Sequence, residues 1–119
     1  QENLEKETSC KIYIHSLFET QDLKSAVKDS RLLVNATSVG MSPHTDDCLI
    51  EDTSIFHTHL AVADIIYNPW ETTLLAKATA EGCKAFNGYS MLLYQGAEAF
   101  RIWTGKEMPI TLVKEHLKQ

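Results

Sequence analysis

Short apolar runs alternate along the chain with segments in which apolar residues recur at helical spacing. Residues 32–34 and 61–66 are apolar at nearly every position, which is typical of strands buried on both faces of a parallel sheet. Residues 11–15, which are mostly β-branched or aromatic, predict another strand, and residues 84–87 predict a short last one. We therefore expect four strands, all well separated in the sequence.

Helical spacing of apolar residues occupies the intervals between these strands and the end of the chain. Helices are predicted at four places, namely after Thr20, between Thr72 and Glu81, over residues 90–104 and over residues 111–118. Gly82 follows the second helix, where a left-handed residue commonly ends a helix. Strands that alternate with helices predict a parallel α/β sheet, and ligands of such sheets bind at the carboxyl ends of the strands. We therefore expect the functional site in the loops that follow Val34 and Ile66.

Composition and charge are those of an ordinary globular domain. The chain has 119 residues, of which 44% are hydrophobic and 23% charged, and its net charge of -5 comes without a cluster of Lys and Arg. No apolar run approaches the roughly 18 residues that indicate a membrane span. No basic patch indicates nucleic-acid binding either. We therefore expect neither a membrane nor a nucleic acid as a partner.

The cysteines and the first residues bear on location and completeness. Three cysteines without a CxxC pair favour neither a disulfide framework nor a zinc site, and they fit a reducing cytoplasm. Residues 1–8 are polar and acidic, unlike a signal peptide. They resemble the end of a helix, and the chain has no initiator Met. We therefore expect a piece of a longer cytoplasmic protein.

Small and polar residues follow both buried strands. Residues 35–43 (N-A-T-S-V-G-M-S-P) can bring main-chain groups close to a ligand, although the same residue types also form plain turns. Pro69 favours an extended Asn68, which aims Asn68 and Tyr67 away from the end of the strand. Tyr67 can bind a hydroxylated ligand or lie at the edge of the core. Asp64 needs hydrogen-bond donors, and we expect backbone N–H groups of a neighbouring loop to supply them in a structural role.

One polar residue interrupts the apolar stripe of the helix predicted over residues 90–104. Leu92, Gln95, Ala99 and Trp103 fall near one face of this helix. The Gln95 amide therefore needs a partner, which is either a ligand or a protein group at a domain contact. Gly96, in the middle of the helix, is tolerated where something must approach closely.

Two other groups of residues carry less functional weight. His57 and His59 form an H-x-H pair, but no carboxylate or cysteine completes a recognisable metal-binding spacing, so solvated loop histidines are the better interpretation. Ser38 and Ser90 lack the G-x-S-x-G turn of a hydrolase nucleophile. The sequence therefore predicts no metal site and no covalent catalysis.

The polar segments occur together in one known family. The matching blocks are residues 35–41 (NATSVGM), 67–69 (YNP), 73–75 (TLL), 87–92 (NGYSML), 95–97 (QGA) and 103–106 (WTGK). In order and spacing they resemble the C-terminal half of shikimate dehydrogenases, most closely the quinate/shikimate dehydrogenase subgroup. The resemblance implies an α/β fold, the C-terminal portion of a Rossmann-like parallel-sheet NAD(P)-binding domain with trailing C-terminal helices. Residues 1–89 would be the partial Rossmann-like domain, without its first strands and glycine-rich turn. Residues 90–119 would be helices that pack toward an absent substrate domain.

The resemblance also implies a reaction and a set of site residues. The reaction is a reversible hydride transfer between NADP or NAD and the ring carbonyl of 3-dehydroshikimate or 3-dehydroquinate. The implied cofactor-binding residues are Thr37, Ser38, Ile65, Tyr67, Asn68 and Gly88. Gly88 would offer its backbone to the nicotinamide carboxamide. Tyr67 and Gln95 would contact the small-molecule substrate, shikimate or quinate, as binding residues and not as proton carriers.

Several features of the family are missing from this sequence. The catalytic Lys–Asp pair, the serine pair for the substrate carboxylate and the glycine-rich turn all lie upstream of the region that it resembles. No GxGxxG run occurs in the chain. We therefore assign no catalytic residue and no metal ligand, and we expect the isolated chain to be inactive. The residue that selects NADP over NAD also lies upstream.

Two alternatives stay open at this point. The chain could be a stand-alone, non-catalytic remnant that acts as a binding or oligomerisation module, and it could form a homo-oligomer through an unprotected sheet edge. It could also belong to a different Rossmann enzyme with a similar cleft. The match at Tyr67 and Gln95 disfavours that second alternative.

Overall fold

The computed structural model describes residues 2–8 and 10–117. Its elements, in chain order, are α1 (Glu2–Thr8), α2 (Thr20–Lys28), β1 (Leu32–Asn35), a 3-10 turn (Thr53–Ile55), β2 (Ala61–Asp64), α3 (Thr73–Ala80), β3 (Lys84–Phe86), α4 (Tyr89–Thr104) and α5 (Ile110–Leu117). Three of the four predicted strands and all four predicted helices are confirmed within these residues, and the first residues are helical as expected. Lys118, the last residue of the predicted final helix, lies outside the described residues.

The three strands form one parallel sheet in the order β1-β2-β3. Leu32 lies opposite Ala61, and Asn35 lies opposite Asp64, so β1 and β2 end together. Ala63 lies opposite Phe86, so β3 ends near the same edge. The loops that follow the three strands therefore meet at one edge, as the parallel α/β pattern predicted.

The core lies on one face of this sheet only. Val62 and Ala78 are fully buried, and Leu60, Leu74 and Leu75 are at most 5% exposed. On the other face of the sheet, Leu32, Val34 and Phe86 are 57%, 47% and 56% exposed. The expectation of strands buried on both faces is therefore wrong for the described residues, because α3 contacts β2 and β3 from the core side and no described element covers the opposite face. We call Leu32, Val34 and Phe86 the open sheet face.

The strand predicted over residues 11–15 does not form. Residues 10–16 belong to no strand, and Tyr13 and Ile14 are 70% and 76% exposed. Strands exist only as paired ladders, and in the described chain β1 pairs on one side only, with β2. Instead, the Asp22 carboxylate of α2 holds this segment through the His15 ring at 2.9 Å and the Ser16 N–H at 3.3 Å. A β-prone sequence without a strand to pair with is left as exposed coil.

The boundaries of the other elements follow local chemistry. β2 ends two residues before its apolar run does, because the Ile66 N–H donates to the Asp64 side chain at 3.0 Å instead of to a strand. Gly82 has φ +81°, which confirms the left-handed residue expected after α3. None of the described helices combines the length and apolarity needed to cross a bilayer.

Candidate functional site

A cleft of about 480 Å³ lies where the loops after β1 and β2 meet. Its walls include Thr37 and Ser38 from the first loop and Ile65, Tyr67 and Asn68 from the second. These are five of the seven residues singled out from the sequence. A cleft therefore lies at the carboxyl ends of the strands, where the sequence predicts the site.

The first loop is shaped by the side chain of Asn35, which is 5% exposed. The Asn35 amide nitrogen donates to the Val39 carbonyl at 3.3 Å, and the amide oxygen accepts the Thr37 N–H at 3.0 Å and the Thr37 hydroxyl at 2.7 Å. The Thr37 hydroxyl in turn accepts the Val39 N–H at 3.2 Å. The loop is therefore a closed set of hydrogen bonds around one amide. Sequence reasoning gave Asn35 no role, although an Asn directly after a buried strand is a recognised turn-forming residue.

Asp64 is the last residue of β2, just before the second loop, and is 2% exposed. Its carboxylate accepts hydrogen bonds from the Asn35 amide nitrogen at 3.2 Å, the Ile66 N–H at 3.0 Å and the Thr72 hydroxyl at 2.8 Å. The expected structural role is correct, but the donors differ from the prediction. Only one is a backbone N–H, and it comes from the end of the same strand.

The two loops also contact each other through their backbones. The Ser42 N–H donates to the Asn68 carbonyl at 3.3 Å. Gly40 has φ +93°, and a Cβ there would lie 3.2 Å from the Asp47 carbonyl oxygen. The first loop therefore needs glycine at this turn both for its backbone conformation and for space. Tyr67 and Asn68 remain exposed at the mouth of the cleft, with Tyr67 50% exposed.

Gly88 is not among the residues that line the cleft, but it packs directly against the backbone of Ile65, which is. A Cβ at Gly88 would lie 1.8 Å from the Ile65 carbonyl oxygen, so no larger residue fits. The Gly88 N–H donates to the Ile66 carbonyl at 2.9 Å, and the Gly88 carbonyl accepts the Leu92 N–H at 3.0 Å. Because the N–H is already used, only the second lone pair of the carbonyl oxygen is left for a ligand.

Gln95 does not reach the cleft. It is exposed on α4, and its amide nitrogen donates to the Leu92 carbonyl of the same helix at 3.2 Å. Trp103, predicted on the same stripe, is 82% exposed. Within the described chain this stripe is only partly covered, since Leu92 and Ala99 are half-buried while Gln95 and Trp103 are exposed. The nearby Gly96 has open space around it.

The residues that line the cleft include no Lys, His, Asp or Glu within the described chain. Hydroxyl, amide and apolar groups of Ser38, Asn68, Met41 and Ile65 dominate it instead. Such a surface can bind a flat, uncharged ring with polar substituents, and among its described lining residues the phenol of Tyr67 is the one side chain of a type used in general acid–base chemistry. Among residues 2–8 and 10–117, no three His, Cys, Asp or Glu side chains are grouped closely enough to hold a metal ion.

Comparison with known proteins gives consistent matches. Residues 88–118 match the family model for the shikimate 5'-dehydrogenase C-terminal domain. The chain is 40% identical over 114 residues to the quinate/shikimate dehydrogenase of Escherichia coli, which covers 96% of this chain and 40% of that protein. The chain therefore spans about two fifths of that relative.

Solved structures agree with the sequence match. The shikimate 5-dehydrogenase of Listeria monocytogenes, in complex with shikimate and NAD, superposes with a TM-score of 0.90 at 38% identity, over 98% of this chain and 40% of that one. The enzyme of Thermus thermophilus, in complex with NADP(H) and shikimate, superposes with a TM-score of 0.68 at 34% identity, over 92% of this chain and 38% of that one. The α/β fold described above is thus that of the C-terminal part of these enzymes.

Proposed function

The chain belongs to the shikimate dehydrogenase family, and on that premise we propose that it forms the nicotinamide side of the active-site cleft of an NAD(P)-dependent shikimate/quinate dehydrogenase. The whole protein would catalyse the reversible reduction of 3-dehydroshikimate or 3-dehydroquinate. The observation that carries the proposal is the cleft at the carboxyl ends of β1 and β2, lined by Thr37, Ser38 and Ile65, with its first loop held by the hydrogen bonds of the Asn35 amide.

The lining of the cleft fits a nicotinamide ring. Ile65 offers an apolar surface on which the flat ring can pack, and the hydroxyl of Ser38 and the amide of Asn68 are available to polar substituents. When bound, the nicotinamide supplies the hydride, and the protein positions it. The Gly88 carbonyl would accept a hydrogen bond from the carboxamide, since its N–H is bonded to Ile66. Packing of this kind keeps water away from the reacting ring.

The substrate side of the proposal rests on Tyr67 and Gln95. Tyr67 lies half exposed at the mouth of the cleft, where its phenol can bond a ring hydroxyl. Gln95 projects from α4 with one amide hydrogen bond inside its own helix, which leaves acceptor and donor capacity for a hydroxylated ring. We assign both side chains to substrate binding, through hydrogen bonds of the phenol and the amide, and not to transfer of the reacting proton.

We further propose that the reacting proton and the cofactor diphosphate are handled by residues outside this chain. The cleft lining offers no Lys, His, Asp or Glu in the described residues, and the sequence has no glycine-rich dinucleotide turn. Either NAD or NADP fits this proposal, in keeping with relatives that bind one or the other. The three cysteines are free thiols, as a cytoplasmic protein would have.

The test compares the complete encoded protein with this 119-residue chain. With shikimate or quinate and each oxidised cofactor, the complete protein should form NADH or NADPH, followed at 340 nm as a routine readout, whereas the chain alone should stay at the blank level. A complete protein that is folded but inactive with both substrates would overturn the proposed reaction. Turnover by the chain alone would overturn the assignment of acid–base chemistry to residues outside it.

A second candidate function is an oligomerisation module without catalysis. The open sheet face favours it, because Leu32, Val34 and Phe86 expose apolar surface and β1, within the described residues, pairs only with β2. This candidate predicts self-association of the complete protein without any turnover. The same activity assay combined with light scattering therefore separates it from the dehydrogenase.

A further inference from the structure

The carboxylate of Asp64 faces three neutral donors and no cation among the described residues. One carboxylate oxygen accepts from Asn35 and Ile66, and the other accepts from Thr72. Such a buried group costs free energy unless it is fully hydrogen-bonded. Its two oxygens divide the contacts into one arm toward the loop after β1, through Asn35, and one arm toward α3, through Thr72.

The loop arm determines which way the Asn35 amide points. A carboxylate only accepts hydrogen bonds, so the NH₂ end of the amide must face Asp64, and the oxygen end must face Thr37. In the flipped orientation, the amide oxygen would face the Asp64 carboxylate, and the NH₂ group would face the Thr37 N–H. Both contacts would be repulsive. Asp64 therefore selects the one amide orientation in which the loop can close.

This orientation also determines which loop hydroxyl is available to a ligand. The Thr37 hydroxyl donates to the Asn35 amide oxygen at 2.7 Å and accepts from the Val39 N–H at 3.2 Å, so it is used within the loop. Ser38 lines the cleft, is exposed, and its hydroxyl makes no recorded hydrogen bond within the described chain. Of the two adjacent hydroxyls, one builds the loop and the other is presented to the cleft.

The α3 arm provides an internal control. The Thr72 hydroxyl donates to the second carboxylate oxygen at 2.8 Å and accepts the Leu75 N–H at 3.4 Å, so it caps the first turn of α3. Removing this hydroxyl loses a helix cap and a buried hydrogen bond. It does not alter the contact between Asp64 and Asn35. Stability and loop geometry are therefore separable by mutation.

We propose that Asp64 is a positioning residue, which acts through the Asn35 amide to hold the loop after β1 in the shape that presents Ser38 to the nicotinamide. The effect on the ligand rests on the proposed function. The hydrogen-bonding role does not, since it follows from the contacts of Asp64, Asn35 and Thr37 alone.

The experiment uses the complete encoded protein and three variants, Asp64→Ala, Asp64→Asn and Thr72→Val. The probe is reduced nicotinamide mononucleotide, because it lacks the adenosine half and reports only on the nicotinamide side. We expect Asp64→Ala to weaken its binding about three- to tenfold, as for the loss of one or two hydrogen bonds. Asp64→Asn keeps an oxygen toward Asn35 and should restore most of the affinity. Thr72→Val should lower the Tm and change the Kd less than about twofold.

The outcomes separate positioning from simple stabilisation. Equal Kd values for all folded variants, whatever their Tm, would overturn the proposal, and so would a Kd that follows Tm across the set. If Asp64→Ala does not fold, Asn35→Ala removes the same hydrogen bond from the other side, and its Kd is measured instead.

Failure of the proposed function would look different. If the unsubstituted protein binds neither NAD nor NADP, the dehydrogenase assignment fails. The positioning role is then judged from the amide resonance of Thr37 in ¹⁵N spectra. That resonance should move in Asp64→Ala, remain close to its original position in Asp64→Asn and be unaffected by Thr72→Val. A Thr37 amide resonance that does not move in Asp64→Ala would refute the positioning role.

Discussion

The carboxyl ends of the strands and helix α4 supply the two halves of the proposed site, but the two regions differ in how far they are buried and hydrogen-bonded within the chain. At the sheet edge, Asn35, Asp64 and Thr72 are at most 5% exposed and bond one another. Along the 16 residues of α4, only Leu93 is buried, and Trp103 is 82% exposed. The first region satisfies its own polar groups, whereas the second presents surface that needs a partner.

This difference indicates which properties of the site belong to the chain itself. The loop after β1 is shaped by contacts within the described residues, so mutations of Asn35 and Asp64 should act on both fold and ligand binding. The contribution of α4 depends on what it meets in the complete protein. Mutations on its exposed face should therefore act on binding with little effect on folding.

The largest expected effect comes from the glycine that joins the two regions. Gly88→Ala would place a methyl group 1.8 Å from the Ile65 carbonyl oxygen, which forces β2 and α4 apart. We expect a loss of about 3 kcal/mol or more of unfolding free energy, measured by urea denaturation. The matched control is Gly96→Ala on α4, where nothing lies within 4 Å and alanine should gain about 0.5–1 kcal/mol through helix propensity. A Gly88→Ala protein as stable as the original would contradict the close contact.

Gln95→Leu in the complete protein tests the helix half of the site. It preserves helix shape but leaves a substrate hydroxyl unpaired, which should cost about 1–3 kcal/mol, or roughly ten- to a hundredfold in kcat/KM, with cofactor affinity nearly unchanged. Because the side chain is exposed, Tm should hardly move. Unchanged kcat/KM with a lowered Tm would instead assign Gln95 a purely structural contact.

The open sheet face gives a third test. We expect the isolated 119-residue chain to self-associate at tens of micromolar, roughly the range in which exposed edges associate. Light scattering should show a mass above that of the monomer, and Val34→Lys, which puts a charge on the open sheet face, should shift the chain toward monomer. If the unsubstituted chain is monomeric, the open sheet face needs no partner. It would then differ from the exposed face of α4, for which we expect one.

The smallest effect is expected from the surface ion pair on α4. Glu98 accepts from the Arg101 Nε at 2.9 Å, and this hydrogen bond lowers the pKa of Glu98 from its usual 4.5. Since the folded pKa is the lower one, any stabilisation is present above about pH 4.5 and is lost as the pH falls through the lowered pKa. The pair is exposed, so Glu98→Gln should leave the Tm at pH 7 unchanged within error. A clear drop in Tm would mean that α4 is held more firmly than its exposure indicates.

The sequence was a good guide wherever local pattern decides the structure. The continuous apolar runs predicted β1 and β2, and the rule for parallel sheets placed Thr37 and Tyr67 at one edge. Prediction from the sequence failed where the structure of a segment depends on a neighbouring strand or surface. Residues 11–15 have the composition of a strand but lack a neighbour to pair with in the described chain, and Gln95 and Trp103 of the α4 stripe stay exposed there. Amphipathic patterns predict a face but not the surface that covers it.

The role of Asn35 was missed for another reason. Its amide acts through four hydrogen bonds whose partners lie 2, 4 and 29 residues away. The nearest of these contacts are consistent with an ordinary turn, and only the contact to Asp64 connects that turn to the next strand. A pairing between residues so far apart has no periodic signature in a single sequence.

The pairing of Asn35 with Asp64 also bears on the register of β1 and β2, which their apolar residues specify only weakly. β1 and β2 are short and largely apolar, so hydrophobic contact alone would tolerate a shift of two residues, which keeps the same faces buried. Such a shift would place Asp64 opposite Leu33 and leave a buried carboxylate without its amide donor. The hydrogen bond between Asn35 and Asp64 therefore favours the observed strand register over one that is shifted by two residues.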